Sequence, residues 1–137
     1  MKQLIDTLKR EGCSLVIRSQ QHEQCFWQHG VADLLRLLHE EPQILLDAQL
    51  ADKVVGKGAA ALMILGHVRE VYAGIISQPA LTLLLEAGVT VTYGQCVEHI
   101  INRVGTDWCP VEKLCSSVST AEECLPLIEK FVNTNRH

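Results

Sequence analysis

Two lysines and an acid mark one place where this sequence could do chemistry. Asp52, Lys53 and Lys57 fall in Ala51-Asp-Lys-Val-Val-Gly-Lys-Gly-Ala-Ala-Ala61, where a strand-like run gives way to small, helix-favouring residues. With a helix expected over residues 52–66, the lysines sit four apart on one face and Asp52 takes the N-cap. A helix start disfavours cations and favours anions. Two ammonium groups beside first-turn amides therefore suit a bound phosphate or carboxylate. The plainer alternative is a pair of solvated lysines on an ordinary amphipathic helix. The spacing is not that of a P-loop, because GxxxxGK[ST] is absent. Gly56 and Gly58 fall inside the expected helix, where glycine costs about 1 kcal/mol relative to alanine. Such a cost points to close helix packing or to close approach of a ligand.

A second group lies in Asn102-Arg-Val-Gly-Thr-Asp-Trp-Cys-Pro-Val-Glu112. Cys109 would cap a helix starting at Pro110, where the positive helix end favours thiolate. Arg103 and Thr106 can hold an anion or a hydroxylated ligand. Glu112, three residues past the cap, can fold back on the cap amide or serve as a general base. Cys109 and Glu112 are thus the candidate catalytic pair, set against inert packing of the thiol. Asp52, Lys53, Lys57, Arg103 and Thr106 are the candidate ligand-binding set. The six histidines show no ligand spacing and no CxxC occurs, so no metal site and no cofactor are expected. Ser77 precedes Gln78-Pro79 without a GxSxG frame and does not read as an acyl-transfer nucleophile.

The elements that must position these groups follow from pattern. Residues 1–11 form an amphipathic helix. Cys13–Arg18 and His22–Trp27 read as a hairpin around Ser19-Gln-Gln21. Val31–Glu40 has a helical period that stops at Glu41-Pro42. Ile44–Ala51 is read as a strand. Glu70–Ser77 and Val89–Tyr93 are further strands, separated by a helix over Ala80–Ala87 with Pro79 at its first position and Gly88 closing it. The order β-α-β-α-β from Ile44 to Tyr93 predicts an α/β fold with parallel strands. Residues 97–103 fit helix or strand alike. Pro110–Cys115 is a short helix, and Ser119 or Thr120 with Glu122 or Glu123 caps the last one.

The 137 residues fit a single domain, 1–137, with 47% hydrophobic and 20% charged residues, typical of an ordered globule. A net charge of −4 gives no reason to expect nucleic-acid or membrane-surface binding. Neither a signal peptide nor a spanning segment is read, so a cytoplasmic setting with reduced thiols is expected.

Three motifs in order, Ala51-Asp-Lys-Val-Val-Gly-Lys, Glu70-Val-Tyr-Ala with Ile76-Ser-Gln-Pro-Ala, and Ile100-Ile-Asn-Arg-Val-Gly-Thr-Asp-Trp-Cys-Pro-Val-Glu, resemble domain-of-unknown-function family 1893, placed in the cytidine deaminase-like fold superfamily. The resemblance runs from about Cys13 to Glu129. It implies a three-layer α/β/α sandwich around a mixed sheet, and a site where two helix N-termini meet that sheet. It does not imply deamination. Zinc deaminases hold the metal with a His or Cys at one helix start and two cysteines in PCxxC at the next. In this sequence the first helix opens Ala51-Asp-Lys-Val, and Ala80 and Leu83 stand where the cysteines would be. The resulting expectation is a zinc-free protein that binds a nucleotide or another phosphate-bearing, anionic small molecule. The alternative is a non-zinc enzyme with Cys109 as nucleophile. A homo-oligomer fits the resemblance.

Overall fold

The structure is a computed structural model and describes residues 1–28, 31–101 and 105–134. Helix α1 (Lys2–Glu11) buries Leu4, Thr7 and Leu8, spaced three and four apart as one helical face requires. It ends at Gly12, whose φ of 69° is the left-handed cap conformation that glycine adopts without strain. Strands β1 (Leu15–Ser19) and β2 (His22–Phe26) form the expected hairpin. Gln20 and Gln21 both have positive φ, as a two-residue turn between twisted strands requires.

Helix α2 (Ala32–Glu40) is followed by a short α3 (Pro42–Leu45), then β3 (Gln49–Val55) and α4 (Lys57–Leu65). Two expectations are corrected at this point of the chain. Ile44 and Leu45 close the short helix α3 rather than opening the strand, because Pro42 can start a helical turn at no hydrogen-bond cost. The strand itself lies later and takes in Asp52 and Lys53. The helix begins only at Lys57, capped by Gly56 and not by Asp52. Valines 54 and 55 continue the strand, consistent with their stiff β-branched side chains. Strand β4 (Glu70–Ser77) falls where expected. Helix α5 (Gln78–Glu86) starts one residue before Pro79, so the proline is the second helical residue, and β5 (Thr90–Val97) extends past Tyr93. The chain ends with α6 (Pro110–Cys115) and α7 (Ala121–Thr134). Thr120 Oγ1 accepts the Glu123 amide while Glu123 accepts the Thr120 amide, a capping box at α7.

The five strands form one mixed sheet in the order β2-β1-β3-β4-β5, with β1 antiparallel to β2 and β3, and β3, β4 and β5 parallel. Alternation along β1 divides the interior. Leu15 and Ile17 join the main core, whereas Val16 packs with Leu4, Leu8, Cys13 and Ala51 beneath α1.

Midway along the parallel strands this alternation reverses. Leu50, Val71 and Ala73 face the main core, and so do Val55 and Ile76, which have the opposite parity. The reversal falls at Lys53, Gly74 and Gly94, the positions missing from the regular pairing of three neighbouring strands. A Cβ on Gly74 would lie 2.7 Å from the Lys53 carbonyl oxygen, and one on Gly94 would lie 2.9 Å from the Gly74 carbonyl oxygen. The crease thus needs glycine at both places. Beyond it Val54 and Ile75 are exposed, while Val55 and Ile76 carry the core up to the helix starts.

Candidate functional site

At the ends of β3 and β4 the chain turns directly into α4 and α5, so two helix N-termini lie side by side at one end of the sheet. The two helix starts are served differently. Gly56 caps α4 without a side chain, leaving the first-turn amides of that helix to find acceptors elsewhere. Ser77 caps α5, its Oγ accepting the Ala80 amide at 3.3 Å. Both starts converge on the same group, the carboxylate of Glu112.

Glu112 is the third residue of α6 and only 2% exposed. Its Oε1 accepts the Lys57 amide at 2.9 Å and the Ser77 hydroxyl at 3.0 Å, and its Oε2 accepts the Ile100 amide at 2.7 Å. A buried carboxylate is tolerable when its lone pairs are satisfied and positive helix ends face it. Three donors from three segments of the chain do this for Glu112. The expected fold-back of Glu112 onto its own cap amide is corrected, because the Cys109 amide donates instead to the Ile100 carbonyl at 2.8 Å. That bond and the Ile101–Trp108 bridge bring the segment after β5 against the start of α6. His99 and Trp108 stack beside it, with ring centroids 3.6 Å apart.

The candidate residues separate around this centre. Lys53, on β3 rather than on a helix, is exposed, and its ammonium donates to the Gly12 carbonyl at 3.2 Å. Lys57 is buried, and its ammonium donates to the Val118 carbonyl in the α6–α7 connection. The two ammonium groups therefore serve different neighbours and do not form a pair. Asp52 is buried, with Oδ1 accepting the Val54 amide at 3.2 Å, and burial pushes its carboxyl up to about 7. Cys109 is half-buried at the cap of α6, and none of the three donors to Glu112 belongs to it. Thr106 is exposed in the turn before Asp107. Arg103 lies outside the described residues.

Gly58 has a packing reason. A Cβ there would come within 2.3 Å of Val111 Cγ1, so its bareness lets α6 lie against α4. Buried beside that contact are Cys115 and Cys124, whose thiols hydrogen-bond to each other. Cys115 is raised chiefly by that bond and by burial. Cys124 is lowered chiefly by the same bond, with Lys57 adding to it. Among the described residues no group of three His, Cys, Asp or Glu side chains could hold a metal ion.

Ser77 is the site residue that pattern reading set aside. Its signal was present, since serine just before a proline-bearing helix start is a strong N-cap pattern. An open cleft of about 580 Å³, lined by Arg18, Gln20, Asp47, Gln49 and Arg69, lies at the opposite end of β3 and takes in none of the candidate residues. The Glu112 centre has the denser set of buried polar groups.

The sequence matches the family model described as TM1506, domain of unknown function (DUF1893), over residues 3–132. The chain belongs to the DUF1893 family. The fold of this DUF1893 chain is similar to the crystal structure of a DUF1893 family protein, TM1506, from Thermotoga maritima. The TM-score is 0.86 at 24% identity, over 94% of this chain and 87% of that one. Among curated proteins none matches. In the DUF1893 chain no helix among the described residues is long and apolar enough to cross a membrane.

Proposed function

We propose that this chain is a zinc-free, cytoplasmic small-molecule-binding protein with a three-layer, cytidine deaminase-like fold, and that its ligand carries a phosphate or similar anion. The observation that carries the reading is the seat of Glu112. The start of α4, and the serine that caps α5, already hold an anionic group, supplied by the chain itself. A ligand phosphate has the same requirements as that carboxylate, namely first-turn amides, a hydroxyl donor and a cation nearby. Lys57, buried at the start of α4 with its ammonium on the Val118 carbonyl, would supply the cation. Asp52, close to neutrality in its protonation, is the group best placed on β3 to change charge with ligand or pH. Ala80 and Leu83, at the start of α5, offer no zinc ligand, which supports a binding role over metal-hydroxide chemistry.

The reading is tested by thermal denaturation with inorganic phosphate and a panel of nucleotides, joined to amide chemical-shift mapping. Phosphate-bearing compounds should raise the melting temperature and move the Lys57, Ala80 and Ile100 amides. Lys57→Ala should remove the stabilisation and Lys53→Ala should leave it. A panel that stabilises nothing, or shifts that map to Arg18 and Arg69, would overturn the assignment.

A further inference from the structure

The cysteines include two pairs whose thiols hydrogen-bond to each other, Cys115 with Cys124 and Cys13 with Cys25. The pairs sit in opposite electrostatic settings. Glu11 and Glu23 lie near Cys25 and oppose a thiolate there. The Lys57 ammonium lies near both Cys115 and Cys124 and favours one. Glu112 near Cys115, and the exposed Glu122 and Glu123 near Cys124, act against it. Position in the helices divides the roles. Cys124 falls in the first turn of the 14-residue α7, where the positive helix end favours a negative sulfur. Cys115 is the last residue of α6, where negative charge is disfavoured. Cys115 therefore donates its S–H, and the bond holds negative charge on Cys124. Both residues are 0% exposed. The segment joining them is short, and Ser116, Ser117, Ser119 and Thr120 within it are exposed. Local lifting of that segment would bring solvent to the sulfurs without disturbing the sheet.

We propose that Cys115 and Cys124 form a reversible oxidation site whose substrate is a hydroperoxide, with Cys124 attacking, Cys115 resolving and Lys57 as the positioning cation. The Cys124 thiolate attacks one peroxide oxygen and the O–O bond breaks. Cys124 becomes a sulfenic acid, and the leaving oxygen takes up the proton that Cys124 released, departing as an alcohol, or as water from hydrogen peroxide. The Cys115 sulfur then attacks the sulfenyl sulfur. The S–S bond forms, and the hydroxyl leaves with the Cys115 proton as water. Two thiols are oxidised, one peroxide is reduced, and a dithiol reductant reverses the change. The Lys57 ammonium also donates to the Val118 carbonyl, so the cation is held by the same segment that the disulfide closes.

Treatment of the intact, folded protein with hydrogen peroxide tests this, with remaining thiols trapped by N-ethylmaleimide in acidic denaturant and the peptides mapped by mass. Trypsin leaves both cysteines in one peptide, residues 114–130. That peptide should lack the trap and be lighter by the two thiol hydrogens. Cys13 and Cys25 should remain trapped as thiols, although Cys25 is the more exposed. Dithiothreitol should restore Cys115 and Cys124. Lys57→Met should slow the oxidation about threefold, because a roughly tenfold loss of thiolate is partly offset by a more nucleophilic sulfur. Lys57→Arg should keep the wild-type rate. The selectivity is read on the unmodified chain, so it stands whether or not the substitutions weaken the fold. Oxidation that links Cys13 to Cys25 first, or a Cys115–Cys124 link that forms only in denaturant, would overturn the proposal. So would peroxide that leaves both thiols free, over-oxidation of either thiol without a link, or equal rates in wild type and Lys57→Met.

Discussion

Ser77 and Glu112, thirty-five residues apart, share a buried hydrogen bond of 3.0 Å in which the hydroxyl donates to the carboxylate. Through that bond α6 holds the start of α5, and through the Lys57 amide the same carboxylate holds the start of α4. One side chain thus accepts a first-turn amide of α4 and the hydroxyl that caps α5, tying both helix starts to α6.

Loss of this carboxylate should be costly. Glu112→Ala leaves two buried amides without an acceptor, and we expect a loss of roughly 3 kcal/mol or more. Glu112→Gln should also destabilise, because both oxygens accept and an NH₂ at either position would face a donor. Urea denaturation of both variants measures this, and a wild-type midpoint in Glu112→Ala would contradict the capping role of the carboxylate.

Asp52 makes stability depend on pH in a definite direction. Its folded carboxyl titrates near 7 and its unfolded one near 3.8, so the folded state holds more protons between those values. The contribution is fully present below pH 3.8 and is lost as pH rises through 7, worth up to about 4 kcal/mol. Asp52→Asn keeps an acceptor for the Val54 amide and has no charge to bury. It should therefore gain on the wild type as pH rises from 4 to 8. Equal pH dependence of the two proteins would refute the assignment.

The glycines make separable predictions. Gly58→Ala should cost about 1–3 kcal/mol by pressing on Val111, and Val111→Ala in the same chain should recover part of that loss. Gly74→Ala meets backbone rather than a side chain, so no single truncation nearby should restore it. Denaturation of the double variant decides the matter, strict additivity being the contrary result.

Cys25 should be sluggish despite partial exposure. Burial first, then the bond to Cys13 and the nearby acids Glu11 and Glu23, push its thiol up to about 11. Its thiolate fraction at neutral pH should be roughly a hundredfold below that of a free thiol. Iodoacetamide labelling followed by peptide mapping reads this, and labelling as fast as in the unfolded chain would exclude it.

The sequence by itself determined the strand–helix–strand order from Glu70 to Tyr93, the hairpin, a capping box at Ser119 or Thr120 and the family motifs. All of these rest on contacts within a few residues. It placed α4 too early, because Asp52 offers a good local cap, whereas pairing of β3 with β1 and β4 kept Asp52 and Lys53 extended. Only tertiary structure decided that Lys53 and Lys57 serve different neighbours, that the sheet reverses its faces at Gly74 and Gly94, and that Glu112 joins two helix starts. Those facts depend on groups dozens of residues apart meeting in a buried space where every donor needs an acceptor, a demand that short-range pattern does not carry.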